Sequence, residues 1–477
     1  MWQASPLPSS ILTSVKEMPK KYQIHVDPTP NRFPKIGRSG IVDWGEGCLK
    51  CAECVKTKCI YQVYQKRTFS TDILGDTADE LCKSCFRCVQ GCPKRLIHKT
   101  INPEWEALGD DVYTPEVISV NWEQAETGKI PVSGAGYGGF FSGPGFDAMW
   151  TDMSEIVRPT RDGIHGREYI STVVELGRRN PYLAIDQQGK LHSEILPSIR
   201  LPMPVLFDLL PFGDLSFRVW EAIASAASIL GTLAILPLPE ALRLKQHRPH
   251  VATFLEKRDA IDVSLKDFPM VEMDQHEAFL ERLRVIKREL PGVLVSVRMS
   301  ATMRPGRVEE IVEYHRSGVD VIHFVADERG YEPGSVNGRH ITAVMREVHA
   351  DLLRNGLRDE ITLLMSGGVA MAEHVIKSML CGANLVGVDV PMLLAMECRV
   401  CRNCREDREC PVEISQIDTT WGAKRIVNLI GAWHNQFLEM MGAMGIREAR
   451  RLTGEQGRVM FLEDLEKDTF ARLFSRG

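Results

Sequence analysis

"ITLLMSGGVAMAEHVIKSMLCGANLVGVDV", residues 361–390, is the stretch that decides the fold. It opens with one short apolar run and closes with another, and short apolar runs near glycine predict buried strands. Between them, residues 371–381 carry apolar side chains at a helical spacing. A strand, a helix and a second strand in this order predict a parallel sheet.

The same alternation of strands and helices extends back to about residue 204. The clear strands are predicted at 204–210, 232–236, 260–265, 293–299, 319–326, 361–368 and 384–390, with a weak eighth near 241–252. The predicted helices are 217–230, 275–290, 307–317, 338–355, 371–381 and 391–397. Repeated units of this kind favour an α/β fold, a (β/α)8 TIM barrel, and a doubly wound open sheet fits the same pattern.

One apolar run, residues 222–239, carries no charge over a length that just reaches the minimum for a membrane span. Gly231 and two prolines divide it, so we interpret it as a barrel helix followed by a buried strand, with no transmembrane span. The N-terminal residues lack a long apolar stretch and an obvious cleavage site. We therefore predict no signal peptide and a cytoplasmic location.

The composition indicates metal ligation in a reducing compartment. The chain has 477 residues, which predicts two or more domains, and a net charge of −5, which does not indicate nucleic-acid binding. All but one of its 13 cysteines fall into three short runs. Secreted disulfide frameworks instead spread their cysteines over a small domain.

The first two cysteine runs are "CLKCAECVKTKC" (48–59) and "CKSCFRCVQGCP" (82–93). Three closely spaced thiols and a more distant fourth are the bacterial ferredoxin pattern, in which the fourth cysteine ligates the other cluster. Structural zinc is the alternative, but zinc sites do not call for such a triplet. We predict two [4Fe–4S] clusters, held by Cys48, Cys51, Cys54 and Cys92 and by Cys82, Cys85, Cys88 and Cys59.

The third run, "CRVCRNCREDRECP" (398–411), offers Cys398, Cys401, Cys404 and Cys410. Four thiols suffice for another [4Fe–4S] cluster, and three of them, without Cys401, suffice for a [3Fe–4S] cluster. The arginines between these thiols form either a surface for an acidic electron carrier or an ordinary solvated face. The remaining thiol, Cys381, is predicted to be buried and structural.

Two stretches resemble FMN-dependent, archaeal-type glutamate synthases: "MSEIVRPTRDGIHGREYIS" (153–171) and residues 355–398, which precede the third cysteine run and "CPVEIS". The resemblance covers residues 134–450, and members of that family also carry the N-terminal ferredoxin module. It implies a barrel that holds FMN, with a third cluster, typically [3Fe–4S], near the flavin. Arg298 stands where the family has a lysine that faces the flavin.

In such a barrel, phosphate usually lies at the ends of the seventh and eighth strands. The residues predicted to bind FMN are Arg298, Ser366, Gly367, Gly368, Gly387 and Asp389, with the phosphate on the three glycines. His323, Asp327 and Glu328 are candidate acid–base residues, although a hydrogen-bonded or solvated role is commoner for each. Arg161 and His165 are interpreted as packing the lead-in segment against the barrel.

Three segments depart from the family pattern. The glycine-rich loops expected after the second and fourth strands read "LPLPEA" (236–241) and "LKDFPMVEMDQ" (265–275), and a later one appears only as "ADERGYEP" (326–333). No cysteine near the N-terminus is placed to attack glutamine, so no glutaminase is expected. These departures favour electron transfer over glutamate synthesis.

We therefore predict an iron–sulfur flavoprotein oxidoreductase of the glutamate synthase family that moves electrons among its clusters and FMN within a larger redox complex. The alternatives are a genuine glutamate synthase, which makes glutamate from 2-oxoglutarate and ammonia or glutamine-derived ammonia, and a non-catalytic scaffold with clusters only. Expected partners are other redox subunits or ferredoxin, in a hetero-oligomer. The predicted divisions are an N-terminal extension (1–40), a ferredoxin-like α+β module (41–103), a linker and lead-in (104–195), the barrel with the third cluster (196–415) and C-terminal helices (416–477).

Overall fold

A computed structural model describes residues 22–43, 47–64, 77–130, 145–152, 170–180, 182, 184–191, 196–335 and 338–474. The strands in these residues are β1 (Ser39–Asp43), β2 (Ile97–Ile101), β3 (Met149–Thr151), β4 (Val174–Leu176), β5 (Ile199–Leu201), β6 (Val205–Phe207), β7 (Ala234–Pro237), β8 (Val251–Leu255), β9 (Met270–Asp274), β10 (Leu294–Ser300), β11 (Val321–Val325), β12 (Thr362–Ser366), β13 (Leu385–Val388) and β14 (Val459–Phe461). The helices are α1 (Arg87–Gly91), α2 (Pro103–Glu106), α3 (Pro115–Thr127), α4 (Phe217–Leu230), α5 (Leu238–Arg243), α6 (Phe279–Glu289), α7 (Arg307–Ser317), α8 (Ile341–Arg354), α9 (Ala372–Leu380), α10 (Val390–Ala395), α11 (Thr419–Ala443) and α12 (Leu462–Phe474).

Strands β6 to β13 close into a barrel. Each strand pairs in parallel with the next along the chain, and β13 pairs with β6. Most side chains of these strands are fully buried, because helices cover the outside of the barrel while its interior is filled. The predicted (β/α)8 barrel is confirmed, and the open-sheet alternative is excluded by the closed strand order.

Six of the seven clear strand predictions are confirmed, and the one at 260–265 is wrong. Asp262 accepts a hydrogen bond from the Ser264 N–H at 2.7 Å and begins a 3-10 turn, Val263–Asp267. The fourth barrel strand is instead β9. Its acidic residues interrupt the apolar run by which a buried strand is recognised in a sequence. The weak strand near 241–252 is also misplaced, because most of that segment is helical and the strand is β8.

All six predicted barrel helices are confirmed. The predictions 217–230 and 307–317 coincide with α4 and α7, and the others differ from the structure by at most four residues at either end. The apolar run 222–239 is split at Gly231 into the end of α4 and the strand β7, as predicted. Among the described helices, none combines the length and apolar character that crossing a membrane requires.

The first two cysteine runs lie in the chain between β1 and β2, which form an antiparallel two-stranded sheet. Val63, Tyr64, Cys88 and Ile97 are the buried core of this part of the chain. A core of this size contributes little stability, so small domains of this kind depend on metals or cross-links. The position and composition of this module agree with a metal-bound unit.

The C-terminal helix α11 covers the barrel rather than extending away from it. It packs against α4 of the barrel and against α3, which comes from the segment between the cysteine module and the barrel. Arg425 of α11 is fully buried and donates to the carbonyl oxygens of Ala395 (2.6 Å) and Thr29 (3.0 Å). The N-terminal segment, α3 and α11 therefore share one interface with the barrel.

Candidate metal centres and the barrel mouth

The three cysteine runs adopt one backbone conformation. In each run, the second and fourth residues after the first cysteine have positive φ angles, which non-glycine residues rarely adopt. These residues are Lys50 (55°) and Ala52 (55°), Ser84 (52°) and Phe86 (58°), and Val400 (54°) and Arg402 (56°). The repeat shows that all three CxxCxxC segments form the same type of loop. Cys401 therefore holds the position in its loop that Cys51 and Cys85 hold in theirs.

The thiols of the third run lie close together. Burial raises the pKa of Cys398 to about 12, and Cys401, Cys410 and Cys404 raise it further, while a hydrogen bond from the Val400 N–H to the Cys398 sulfur (3.4 Å) opposes this. Buried thiolates need a cation, since an uncompensated buried charge is costly. Four cysteines in one short run fit an iron–sulfur cluster, which is bound by cysteine thiolates.

The thiols of the first two runs surround one small core. Burial raises the pKa of Tyr64, and Cys88, Cys54 and Cys59 raise it further, so sulfurs from both runs lie near this ring. Lys99 Nζ donates to the Cys82 sulfur at 2.9 Å. Hydrogen bonds to cluster sulfurs are one of the ways in which proteins tune such groups. The residues fit two clusters, and the assignment of each fourth ligand stays a prediction.

The third cysteine run lies at the C-terminal mouth of the barrel. It follows β13 and α10 in the chain, and its arginines contact residues that follow two other strands. The Arg405 guanidinium lies 3.0 Å from the carboxylate of Glu328, which follows β11, and 5.3 Å from the ring of Phe212, which follows β6. The mouth of a TIM barrel is where active sites are built. The sequence prediction of a cluster next to the barrel site is consistent with this placement.

A short segment, residues 109–113, links the cysteine module to the third run. The Gly109 N–H donates to the Arg399 carbonyl oxygen at 3.1 Å, and Asp110 lies 2.7 Å from the Arg402 guanidinium. Tyr113 is completely buried, and its hydroxyl has no hydrogen-bond partner among the described residues. Burial raises the pKa of Tyr113 well above its usual value, and the charge of Asp389 at the barrel mouth adds to this.

The interior of the barrel near its mouth holds a buried network of charged and polar side chains. Arg298 on β10 donates to both oxygens of Asp208, at 2.6 and 3.1 Å, and to Glu272 on β9 at 2.9 Å. His323 on β11 contacts Glu272 through Nδ1 and Ser366 through Nε2, each at 2.8 Å. Aliphatic side chains usually fill this space in a TIM barrel. In this network the Arg298 guanidinium is paired with two carboxylates, those of Asp208 and Glu272.

The charges of this network hold both acids ionised. Burial alone would raise the pKa of Asp208, but Arg298 and His323 outweigh it and lower the pKa to about 2. Burial opposes ionisation of Glu272 in the same way, and His323 and Arg298 lower its pKa. Burial would lower the pKa of Arg298, but the two acids raise it above its usual value. Arg298 therefore forms a buried ion pair with the two acids inside the barrel.

The three glycines predicted to hold the FMN phosphate are packed against the chain itself. A Cβ at Gly367 (φ 99°) would lie 2.5 Å from the carbonyl oxygen of Asp327, and one at Gly368 (φ 72°) would lie 2.6 Å from the Cα of Gly330. A Cβ at Gly387 would lie 2.9 Å from the Cβ of Ser366. Packing within the protein thus accounts for glycine at all three positions.

Asp389 places an acid where the phosphate was predicted. It follows β13, is almost fully buried, and accepts a hydrogen bond from the Val390 N–H at 2.6 Å at the start of α10. Burial, and then the charge of Asp208, raise the pKa of Asp389 to about 7. A carboxylate in this position repels an anion and occupies an N–H group that would otherwise bind it. Asp389 therefore offers an acid rather than a donor to an FMN phosphate, and FMN binding at these strand ends stays a prediction.

The candidate acid–base residues have structural partners. His323 is completely buried between Glu272 and Ser366, and Asp327 accepts from the N–H groups of Arg329 (2.9 Å) and Tyr331 (2.8 Å) in a tight turn. Glu328 pairs with the arginines of the third run. Each contact agrees with the hydrogen-bonded role named as the commoner one. Arg161 and His165 lie outside the described residues. Cys381 is buried, as predicted.

Sequence reasoning missed Asp208, Glu272 and Tyr113. Asp208 comes directly after the apolar run of β6, and a polar residue at a strand end of a barrel is a signal that could have identified it. Glu272 lies in the segment that was not recognised as a strand, so its inward direction was not predicted. Tyr113 has no motif and becomes visible only through its burial.

Comparison with known proteins finds similarity to glutamate synthases over most of the chain. Residues 271–447 match the conserved region in glutamate synthase, which here extends from β9 through the third cysteine run and α11. The chain is 24% identical to the archaeal-type glutamate synthase [NADPH] of Dehalococcoides mccartyi, over 86% of this chain and 92% of that protein. It is also 24% identical to the archaeal glutamate synthase [NADPH] of Archaeoglobus fulgidus (88% and 93%).

The corresponding protein of Methanocaldococcus jannaschii is 23% identical over 93% of this chain and 95% of that protein. Among solved structures, a refolded lactate oxidase of Pediococcus acidilactici aligns with a TM-score of 0.39 and 12% identity, over 60% of this chain and 80% of that chain. This last likeness is too low to carry a conclusion. The chain is glutamate-synthase-like in sequence over most of its length.

Proposed function

We propose that the protein is an iron–sulfur electron-transfer subunit built on a glutamate-synthase-like barrel. Bound iron–sulfur clusters supply one-electron oxidation and reduction. The chain's own residues bind these groups through the thiolates of three similar loops and set the position of the third loop relative to the first two. The observation that carries the proposal is the contact between residues 109–113 and the third run, which joins the cysteine module to the barrel mouth.

The side chains at the barrel mouth support electron transfer rather than substrate chemistry. Arg298, the residue expected to face a flavin, is bound to Asp208 and Glu272. An acid, Asp389, lies where an anionic cofactor or substrate group would need donors. A polar substrate that leaves buried partners unpaired loses about 1–3 kcal/mol for each such group. No step of the proposed function passes through a flavin.

The shared loop conformation favours a third [4Fe–4S] cluster over a [3Fe–4S] cluster. Cys401 is the middle thiol of its loop, as Cys51 and Cys85 are of theirs, and the three loops have positive φ at equivalent residues. Because this loop conformation presents three thiols in each of the first two runs, we expect it to present three thiols in the third run as well. Together with Cys410 this gives four ligands, one for each iron of a cubane.

Anaerobic purification tests this function directly. We expect about 12 irons per chain, four for each of three clusters, and no stoichiometric zinc. We also expect one-electron reduction of the clusters by dithionite. An iron content of four or less, or stoichiometric zinc, would overturn the proposal.

The second candidate is glutamate synthesis, which the likeness to archaeal-type glutamate synthases over 86–93% of the chain supports. The two functions are separated by supplying the reduced protein with 2-oxoglutarate and ammonia and following glutamate. Robust turnover, together with bound FMN, would establish the second candidate. Full iron content without glutamate formation would support the electron-transfer role.

A further inference from the structure

The cysteine module exposes its metal-binding loops. Cys48, Cys51 and Cys85 are exposed, and so is Cys401, whereas the other three thiols of the third run are half-buried. Within the module, the exposed cysteines are the first and middle ones of the first loop and the middle one of the second. A cluster held by these loops would lie at the protein surface, within reach of a redox partner.

Large apolar side chains are exposed beside these cysteines. Leu49 is 58% exposed, Ile60 61% and Phe86 48%, and each is one residue away from a cysteine of the first two runs. Tyr61, Leu81 and Ile101 of the same module are exposed as well. Exposed apolar side chains concentrated in one small module mark an interaction surface more often than scattered ones do. We call these exposed residues, together with Cys48, Cys51 and Cys85, the module face.

The module is basic although the protein is acidic. The chain has 58 Lys and Arg and 63 Asp and Glu, and residues 47–101 contain ten of the former and only five of the latter. The module therefore carries a net charge of +5, and the rest of the chain carries −10. Lys83, Arg87, Lys94 and Arg95 are exposed in the described part of the module. Exposed basic side chains in the same module as exposed apolar ones complement an acidic partner.

Three of the four arginines in the third run are paired with acids of the chain. Arg402 and Arg405 pair with Glu328, Arg402 also pairs with Asp110, and Arg408 pairs with Glu406. These pairs reduce the positive charge of this run, which the sequence had offered as a surface for an acidic carrier. The larger net positive charge is on the module.

We infer that the module face is the docking surface for a small acidic one-electron carrier protein of the ferredoxin class. This inference rests on the proposed electron-transfer function and identifies its partner by charge. When the carrier is the donor, its reduced centre loses one electron and the cluster behind the face gains one. No bond is formed or broken and no proton is transferred, so carrier and cluster alone balance the step.

The test measures binding rather than turnover. The anaerobically purified chain is titrated with an acidic plant-type [2Fe–2S] ferredoxin, and in parallel with cytochrome c, a basic carrier, by calorimetry at two salt concentrations. We expect the ferredoxin to bind, and its affinity to fall by about tenfold or more between low and high salt. Cytochrome c is expected not to bind the module face.

Two pairs of variants locate the site. The double variant Lys83→Glu, Arg87→Glu is expected to weaken ferredoxin binding by about tenfold and to reduce its salt dependence, because it reverses charge on the module. Leu49→Ser with Ile60→Ser should weaken binding several-fold and leave the salt dependence unchanged. Arg284→Glu, an exposed arginine on α6 of the barrel, is the matched control and should have no effect.

Iron content is measured on every variant, which separates failure of this inference from failure of the proposed function. A wild-type protein that contains four or fewer irons per chain would contradict the electron-transfer function itself. With iron intact, the docking inference is overturned if ferredoxin does not bind, if cytochrome c binds equally well, or if Arg284→Glu weakens binding as much as the module variants do.

Discussion

Arg298 and Asp208 form a buried ion pair. The two guanidinium NH2 groups of the arginine donate to the two carboxylate oxygens of the aspartate, at 2.6 and 3.1 Å. Arg298 lies on β10 and Asp208 directly follows β6, so the pair spans the interior of the barrel. Glu272 provides a second carboxylate to the same arginine. A buried charge pair contributes little net stability, but removing one partner leaves an uncompensated charge.

The variant Arg298→Met is therefore expected to destabilise the barrel by about 3–5 kcal/mol, because Asp208 and Glu272 remain buried without their cation. The measurement is the free energy of unfolding from urea titration followed by circular dichroism. Arg288→Met is the control and should change stability by less than about 0.5 kcal/mol, because this exposed arginine on α6 pairs with its neighbour Glu289 at the surface. Equal effects of the two substitutions would contradict the role of the ion pair.

Asp389 should make the stability of the barrel depend on pH. Its pKa is raised to about 7 in the folded protein, above its value in an unfolded chain, so its protonated form is favoured by folding. Its contribution is therefore fully present below about pH 4 and is lost as the pH rises through about 7. Asp208, Arg298 and Tyr113 are the charged or titratable groups that act on it.

Asp389→Asn is expected to stabilise the protein at pH 8 by about 1–3 kcal/mol and to have little effect near pH 4, because it removes the cost of ionising a buried acid. Unfolding free energies of wild type and variant at several pH values provide the measurement. Glu277→Gln, at an exposed position, serves as the control. A variant that is equally stabilised at pH 4 and pH 8 would rule out this titration as the cause.

The barrel could be predicted from sequence because its parallel strands are covered on the outside and filled within, and so appear as short apolar runs. The strand β9 was missed because a charged residue, Glu272, interrupts its apolar run. Glu272 can be buried because it points inward to Arg298 and His323, which pair with its charge. The network depends on which side chains meet across the barrel, and that depends on register. The cysteine spacing is local and could be interpreted from the sequence as metal ligation, which stays a prediction, whereas the contact of Gly109 with Arg399 joins distant parts of the chain.

The third loop should lose a single iron when its middle thiol is removed. Cys401→Ser is expected to lower the iron content from about 12 to about 11 per chain, as a [4Fe–4S] cluster becomes a [3Fe–4S] cluster that is paramagnetic when oxidised. Iron analysis and electron paramagnetic resonance of the oxidised protein provide the measurement. Cys381→Ala, which removes a buried thiol outside all three runs, should leave both readouts unchanged. An unchanged iron content in Cys401→Ser would show that this thiol is not a ligand.

The contact between Arg402 and Asp110 should control electron transfer between the cysteine module and the third run. The two side chains are partly buried and lie 2.7 Å apart, and Arg402 also approaches Glu328. Burial would lower the pKa of Arg402, but Asp110 and Glu328 raise it, so the arginine stays charged and holds both acids. Arg402→Gln removes that charge and weakens the attachment of residues 109–113 to the barrel mouth.

In Arg402→Gln we expect full iron content and a several-fold slower transfer of electrons from the module to the third cluster, since electron transfer depends on how closely the groups are held. Freeze-quenched samples, reduced by dithionite for increasing times, separate the clusters by electron paramagnetic resonance. Arg408→Gln is the matched control: it has the same residue type in the same run, but its partner Glu406 is local. If Arg408→Gln slows transfer equally, the effect comes from the loss of positive charge near the cluster and not from the contact with Asp110.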